Sequence, residues 1–322
     1  MHAVVLAGGY ATRLWPITRN RPKMLLPVGE TTVIGTIFDA LEGEPRIDDV
    51  YVSTNEAFAE TFEQYLEDAP YEKPQLSVED TAAESEKFGV VGALAQLIER
   101  ENLTEDTLVI AGDNLISFDI SDFLDAFETN DSPTIAAYDV ESYDRASQYG
   151  LVELNDEDEV TEFQEKPDDP KSTLVSIACY GFPSDTLSKF ETYLEGDNNP
   201  DEPGWFIQWL QAQEPVHAFT FDGAWFDIGT PESYLDAVAW RLDGDTHVHP
   251  SAELTNVELG ENVQILEDAT IEGTTITDSV VFPGATIKHG ELRRSLIDTD
   301  TDLESLNLSG AVISAHTTLN GE

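Results

Sequence analysis

Residues 3–28 read AVVLAGGYATRLWPITRNRPKMLLPV. The apolar run Ala3–Leu6 has the texture of a strand buried on both faces of a parallel sheet, and it ends almost at once in Gly8-Gly9. Paired glycines let a backbone approach a phosphate and point its N–H groups at it. Cationic side chains follow at Arg13, Arg19, Arg21 and Lys23. These are four of the 16 basic residues in the chain, in a segment where an even spread would place about one. A strand followed by Gly-Gly can be a plain tight turn; the cations are what argue for an anion site. A P-loop and the dinucleotide fingerprint are excluded as written, because no Gly-Lys dipeptide and no G-x-G-x-x-G occurs.

Working outward, strand-like runs recur at Val50–Ser53, Thr107–Ile110 and Thr134–Ala137. Helical patterns lie between them at Val33–Leu41, Glu56–Leu66, Val90–Arg100 and Ile120–Phe127. This alternation predicts an α/β fold with a Rossmann-like, doubly wound, mostly parallel sheet. Ligands bind such sheets outside the carboxyl ends of the strands, which selects the loops starting at Gly8 and Gly112. From Tyr149 to Phe182 alternating strands suggest an antiparallel insertion. The strand-like Val216–Phe221, the segment Gly223–Asp227 and a helix Pro231–Leu242 follow. After Asp243 small apolar residues return about every six positions, as in Val257, Val263 and Ala269 and in Leu259, Ile265 and Ile271, with glycines between them. That period marks a parallel β-helix, although it slips after Gly273; an ordinary antiparallel β domain is the alternative. Two domains are expected, 1–243 and 244–322.

The 322 residues carry 64 acidic side chains against 16 basic ones, a formal net charge of -48, yet core-spaced apolar residues run throughout. A folded protein with an acidic surface is the expected result, suited to the short Debye length of a salt-accumulating cell. Nucleic-acid and anionic-membrane partners, which need basic surface, are excluded. The N-terminus has no basic segment ahead of an apolar stretch, and nowhere do about 18 apolar residues run together, so a soluble cytoplasmic protein is expected. The single cysteine, Cys179, in a strand-like setting, is expected to be buried and inert. His247 and His249 could share a strand face and bind metal, but they fall at the domain boundary.

The run GGYATRLWPITRNRPKMLLPV resembles the N-terminal signature of the sugar nucleotidyltransferases, GGxGTRLxPxTxxxPKxLLPV, with Ala11 where a glycine is usual. Further matches follow in the family's order at Ala111-Gly112-Asp113-Asn114, Tyr149-Gly150, Glu165-Lys166-Pro167 and Trp225-Phe226-Asp227-Ile228-Gly229-Thr230. The resemblance covers about residues 1–240, and the C-terminal segment resembles the short left-handed parallel β-helix that some members carry. It implies transfer of a nucleotidyl group from a nucleoside triphosphate to a sugar 1-phosphate, with release of pyrophosphate; glucose 1-phosphate with dTTP or UTP is the pair expected from family frequency. By the same resemblance Arg13 binds the triphosphate, Lys23 bridges phosphates at the reacting centre, and Asp113 and Asp227 hold Mg²⁺. Leu6, Ala7, Gly8, Gly9, Thr12 and Gly89 would line the nucleotide. Lys166 would hold the sugar phosphate, with Glu165, Gly150 and Trp225 beside the sugar.

Base choice departs from the family. A glutamine often precedes a Gly-Thr-Ala helix start, whereas here Glu84 or Glu86 stands near that position, ahead of Gly89. An ionised carboxylate only accepts hydrogen bonds, which suits guanine N1–H and N2–H, although uracil and thymine still offer N3–H. Ala178 likewise replaces a usual glycine. Two other classes fit less well. A catalytically silent nucleotide-sugar sensor has no need for cations at a leaving group, and an acyltransferase built on the β-helix has too few coils to work with. A homo-oligomer is expected, with the β-helix packed on the catalytic domain or on a neighbouring subunit.

Overall fold

The structure, a computed structural model, describes residues 1–9, 11–79, 89–196 and 198–321. Glu84 and Glu86 lie outside the described residues. The chain forms two compact units. One comprises Met1–Gly8, Ile37–Gly112 and Ile116–Trp225; the other comprises Gly9–Thr36, Asp113–Leu115 and the chain from Phe226 onward.

A nine-stranded sheet forms the first unit. Its main path runs Val160–Glu165, Gly150–Leu154, Leu174–Phe182, Thr107–Ala111, His2–Leu6, Asp49–Asn55 and Pro74–Glu79. His2–Leu6 is parallel to both neighbours, as the continuous apolar run predicts, and Asp49–Asn55 is parallel to Pro74–Glu79. Leu174–Phe182 turns the sheet antiparallel, pairing with Thr107–Ala111, Thr134–Asp139 and Gly150–Leu154; this is the insertion read between 149 and 182. Helices Glu56–Asp68, Gly89–Arg100 and Ile120–Asn130 extend the predicted ones by a residue or more.

Two further helices, Ser188–Glu195 and Pro203–Gln211, were not read from the sequence. The second starts on a proline, whose missing N–H costs nothing in a first turn. They close the core with aromatic residues. Phe190 and Phe206 stack with centroids 4.0 Å apart, and both are buried with Phe182, Val109 and Ile135. Cys179 is also buried, and burial pushes its thiol ionisation up, so it packs as a small hydrophobe.

The second unit joins the signature segment to helix Pro231–Leu242 and a stack of parallel strands. One parallel sheet takes Thr246–Val248, Val263–Ile265, Val280–Val281, Leu296–Ile297 and Val312–Ile313; another takes Glu253–Thr255, Thr270–Thr277, Thr286–Arg293, Asp302–Glu304 and Thr318–Asn320. Register places Ile265 beside Val281, Ile297 and Ile313, so one coil takes 16 residues, or 17 in the first coil. This is the arrangement expected of a parallel β-helix. It also accounts for the slip after Gly273. Inward residues Ile265, Ile271, Ile276 and Val281 follow at steps of six, five and five rather than at a constant six.

Three corners of each coil take the left-handed conformation, in columns Asn262, Asp278, Arg294, Gly310; Asp268, Gly284, Asp300, His316; and Asn256, Gly273, His289, Ser305. Asparagine, aspartate and glycine enter that region at least cost. Successive coils are also tied by side chains, as where the Ser279 hydroxyl accepts from Ser295 N at 3.0 Å and the Ser295 hydroxyl from Ala311 N at 3.1 Å.

The outer face of the first parallel sheet in this unit is apolar. Val280, Phe282 and Leu296 are buried in one cluster with Leu14, Ile17, Leu26, Val28 and Tyr234, so the signature segment and the coil share a core. Among the described residues no helix is long and apolar enough to cross a membrane.

Candidate active site

In the second unit, the four residues expected to carry chemistry lie on three pieces of chain. Arg13 sits in a single 3-10 turn, Thr12–Leu14, entered through Ala11 at φ 48 and ψ 45. That left-handed backbone is the reason a glycine is usual there; alanine adopts it at a cost of roughly 1 kcal/mol. Thr18 Oγ1 donates to Ala11 O at 2.8 Å and closes the loop. Lys23 opens a second 3-10 turn, Lys23–Leu25, preceded by Pro22. Its ammonium forms an ion pair with the Asp113 carboxylate, both side chains being largely buried.

Asp113 and Asp227 are brought near each other by backbone, Ile228 N donating to Asp113 O at 3.1 Å. The motif ending in Gly229-Thr230 then has two local duties. Thr230 caps helix Pro231–Leu242, its hydroxyl accepting from Ser233 N at 3.2 Å, while Ser233 Oγ accepts from Thr230 N at 3.0 Å. Gly229 leaves space: a Cβ there would lie 2.8 Å from Arg13 Nη2 and 3.3 Å from its Cζ. The glycine is therefore a seat for the arginine, a role its place in the motif did not reveal.

Gly9 and Thr12 also belong to the second unit, whereas the first unit holds Leu6, Ala7 and Gly8, Gly89, and Gly150, Glu165, Lys166 and Trp225. Leu6, Ala7 and Gly8 leave the sheet with their backbone engaged: Gly112 N donates to Leu6 O at 2.9 Å, Ala7 N to Ser53 O at 2.7 Å, and Asn55 Nδ2 to Gly8 O at 2.8 Å. A residue without an assigned role stands against this turn. Glu79, the last residue of its strand, has Oε1 3.2 Å from where a Gly8 Cβ would be, and accepts from Ser53 Oγ at 3.1 Å. Periodicity gave no hint of it, because PQLSVE (residues 74–79) has a proline at its head and weak alternation.

Gly150, Glu165, Lys166 and Trp225 gather around Tyr149. Glu165 pairs with Gly150 across two antiparallel strands, Lys166 N donates to Tyr149 O at 3.1 Å, and the Trp225 ring meets the Tyr149 ring edge-on at 4.9 Å. Gly150 and Gly204 both make room for Glu165. A Cβ would come within 3.0 Å of its Oε2 at Gly150 and 1.7 Å at Gly204. Burial is the main reason the Glu165 carboxyl is pushed up to about 7; Lys166 opposes the shift and Glu202 adds to it. Lys166 is held in left-handed backbone at φ 46, and its ammonium pairs with Glu202.

The segment Pro200–Gly204, which sequence reading passed over, connects this group to Gly89. Val91 N donates to Pro200 O at 2.9 Å and Val90 N to Asp201 O at 3.2 Å, so these N–H groups of the first turn of the helix are engaged by chain. A Cβ on Gly89, at φ 74, would lie 2.2 Å from Pro200 O. Among the described residues no group of three or more metal-ligating side chains occurs.

Known proteins resemble this chain in sequence and in fold. The profile of the nucleotidyl transferase family matches residues 2–243. A Sulfolobus acidocaldarius protein provisionally named mannose-1-phosphate guanyltransferase is 29% identical over 236 residues, covering 72% of this chain and 61% of that one. The bifunctional protein GlmU of Methanococcus aeolicus is 27% identical, covering 86% of this chain and 60% of that one. The glucose-1-phosphate adenylyltransferase of Bacillus cereus is 27% identical, covering 90% and 84%. The chain thus spans about three-fifths of the length of the first two relatives. Among solved structures, a Bacillus anthracis protein provisionally named glucose-1-phosphate thymidylyltransferase, in complex with sucrose, superposes with a TM-score of 0.65 at 25% identity, covering 75% of this chain and 95% of that one.

Proposed function

This chain belongs to the nucleotidyl transferase family, and we propose that it joins a nucleoside triphosphate to a sugar 1-phosphate, releasing pyrophosphate and forming a nucleoside-diphosphate sugar. The observation that carries the reading is the placement of scarce cations among the motif residues: Lys23 paired with Asp113, and Arg13 seated at Gly229 two residues after Asp227, in a chain of net charge -48.

The reaction needs two anions brought together and no covalent nucleophile. An oxygen of the sugar phosphate attacks the α-phosphorus, the bond from that phosphorus to the bridging oxygen breaks, and the electron pair leaves on pyrophosphate. The protein's part is to neutralise charge and hold the groups in line. Arg13 takes the triphosphate and stabilises the charge growing on the leaving group. Lys23 spans the reacting phosphates, which requires its ammonium to exchange part of its contact with Asp113 for phosphate oxygens. Glu165 receives sugar hydroxyls and Lys166 the sugar phosphate, for which its pairing with Glu202 must loosen. Leu6–Gly9, Thr12 and Gly89 line the nucleotide, and Trp225 flanks the sugar.

A divalent ion fits the donors present. Asp113 already accepts a cation, the Lys23 ammonium, and its backbone is tied to the residue after Asp227. Two carboxylates suit Mg²⁺, which keeps waters and takes substrate phosphate oxygens for the rest of its shell. When bound there it supplies positive charge for the triphosphate and polarises it. The proposed domains are residues 1–243 for catalysis and 244–322 for the coil.

Glucose 1-phosphate with dTTP or UTP is the first pair to test. GTP with mannose 1-phosphate is the second, since Glu79 at the glycine turn is an acceptor-only carboxylate when ionised. Pyrophosphate release is to be measured with Mg²⁺ in about 2 to 3 M KCl, where screening brings the Debye length to about 3 Å or less. Turnover with one pair is expected. Silence across a grid of five nucleotides and three sugar phosphates, with the protein folded, refutes the enzyme in favour of a nucleotide-sugar sensor. The proposal carries with it a cytoplasmic location, a homo-oligomer and a salt-rich cell, checked by fractionation, by mass measurement and by the dependence of thermal stability on KCl.

A further inference from the structure

The outward positions of the coil in the second unit fall into columns one coil apart. Leu266, Phe282 and Asp298 occupy one column, their N–H groups donating to Val281 O, Ile297 O and Ile313 O in the next coil. Leucine and phenylalanine are what this apolar face asks for, and both are buried. Asp298 is equally buried, at 2% exposure, so its carboxylate bears a desolvation cost that an apolar neighbour in the column does not. Its partner is in the signature segment. Arg21 Nη2 donates to Asp298 Oδ1 at 2.5 Å and to Thr299 Oγ1 at 3.1 Å, and the guanidinium lies 4.7 Å from the centre of the Phe282 ring. The arginine therefore rests on one coil and is gripped by the next.

A second tie lies on the far side of Lys23. Gln264, fully buried on the same face of the coil, accepts from Gly29 N at 3.0 Å and donates to Gly29 O at 3.3 Å. Between the two ties the chain buries Met24, Leu26 and Val28, and Pro22 fixes the backbone that leads into the Lys23 turn. Lys23 is thus held from both sides by residues of the coil, while neither Arg21 nor Asp298 has a place in the proposed chemistry.

We propose that Arg21 and Asp298 are positioning residues: through them the C-terminal coil fixes the turn that sets Lys23 against Asp113. The coil is then a working part of the phosphate site and not an appendage to it. The inference rests on Lys23 serving the reacting phosphates. It predicts that loosening the tie lowers turnover more than nucleotide affinity, because misplacement of a charge at the reacting centre is felt chiefly in the transition state.

The test uses the full-length chain in molar KCl, as wild type, Asp298→Asn, Asp298→Glu, Arg21→Lys and the exchanged pair Arg21→Asp with Asp298→Arg. Two readouts are taken: kcat and KM for the nucleotide, and the rate at which trace acetic anhydride acetylates Lys23 relative to exposed Lys171, from peptide masses. Asp298→Asn should lower kcat about tenfold with KM changed less than about threefold, and raise Lys23 labelling relative to Lys171 several-fold, with Asp298→Glu or the exchanged pair recovering part of both. A folded Asp298→Asn protein with kcat and labelling ratio both within about twofold of wild type overturns the inference. Should Asp298→Asn fail to fold, Arg21→Lys, which keeps the charge and loses the planar fork, carries the same test. A wild type without turnover on any substrate pair refutes the reaction proposed above, and the labelling ratio alone then decides whether the tie positions Lys23.

Discussion

Replacement of Glu165 by glutamine should make the folded protein more stable at neutral pH and not at acid pH. The carboxyl of Glu165 is buried against Gly150 and Gly204, and its ionisation is raised from 4.5 to about 7, first by burial and then by Glu202. Between those limits the folded state keeps a proton that the unfolded chain has released, so stability falls as pH rises through the interval. At 1.36 kcal/mol for each pH unit, the loss above pH 7 is about 3 kcal/mol, and below pH 4.5 it vanishes because both states are protonated. Glutamine has the same shape and never ionises. The stability of Glu165→Gln minus that of wild type should therefore grow by about 3 kcal/mol between pH 4.5 and pH 8, read from thermal unfolding in molar KCl. The difference between variants cancels the titration of the other acidic side chains. A gap that stays constant to within about 0.5 kcal/mol across that range would refute the burial argument. The same ionisation should appear in function. If ionised Glu165 accepts sugar hydroxyls, KM for the sugar phosphate rises in wild type as pH falls below 7 and stays flat in the variant.

Other expectations follow from the close contacts. Gly204→Ala should push the Glu165 carboxylate off Gly150, at about 1 to 3 kcal/mol of stability and with a raised KM for the sugar phosphate but not for the nucleotide; unfolding and steady-state kinetics measure both. Gly229→Ala should displace the exposed Arg13 guanidinium, raising KM for the nucleotide about tenfold while the thermal midpoint moves little. Glu79→Gln should shift the ratio of kcat/KM between GTP and UTP toward UTP, since an amide can also donate to a carbonyl oxygen; an unchanged ratio removes Glu79 from base selection.

The sheet and its helices were legible because their signals are long and periodic. His2–Leu6 is apolar at every position and lies between two parallel strands, and the helix Pro231–Leu242 announces itself with Thr230 and a proline at its first turn. Strand Pro74–Glu79 was not legible, since its length and composition are those of an edge. The coil was legible in kind but not in period: a six-residue rule fits one step in three, and register between coils, not sequence spacing, sets the other two at five. In the site, the motifs gave the charged residues and omitted what gives them room. Gly204 and Glu79 matter through distances to residues remote in sequence, and nothing local marks them; Gly229 lies inside a motif, but the motif does not show its contact with Arg13. The Arg21–Asp298 tie joins positions 277 residues apart, and Asp298 looks in sequence like one more acid among 64.

The sixteen-residue coil has a further consequence, for how such chains can change length. A whole coil adds the same columns again and advances the stack by about 4.8 Å, the spacing of hydrogen-bonded strands. Gain or loss of sixteen residues beyond Asp298 would leave Gln264 and Asp298 on the coils that hold Gly29 and Arg21. The same change between them would move one tie past its partner by a full coil. Length variation in descendants of this gene is therefore free beyond Asp298 and forbidden between Gln264 and Asp298, so that two buried polar side chains set where the stack can grow.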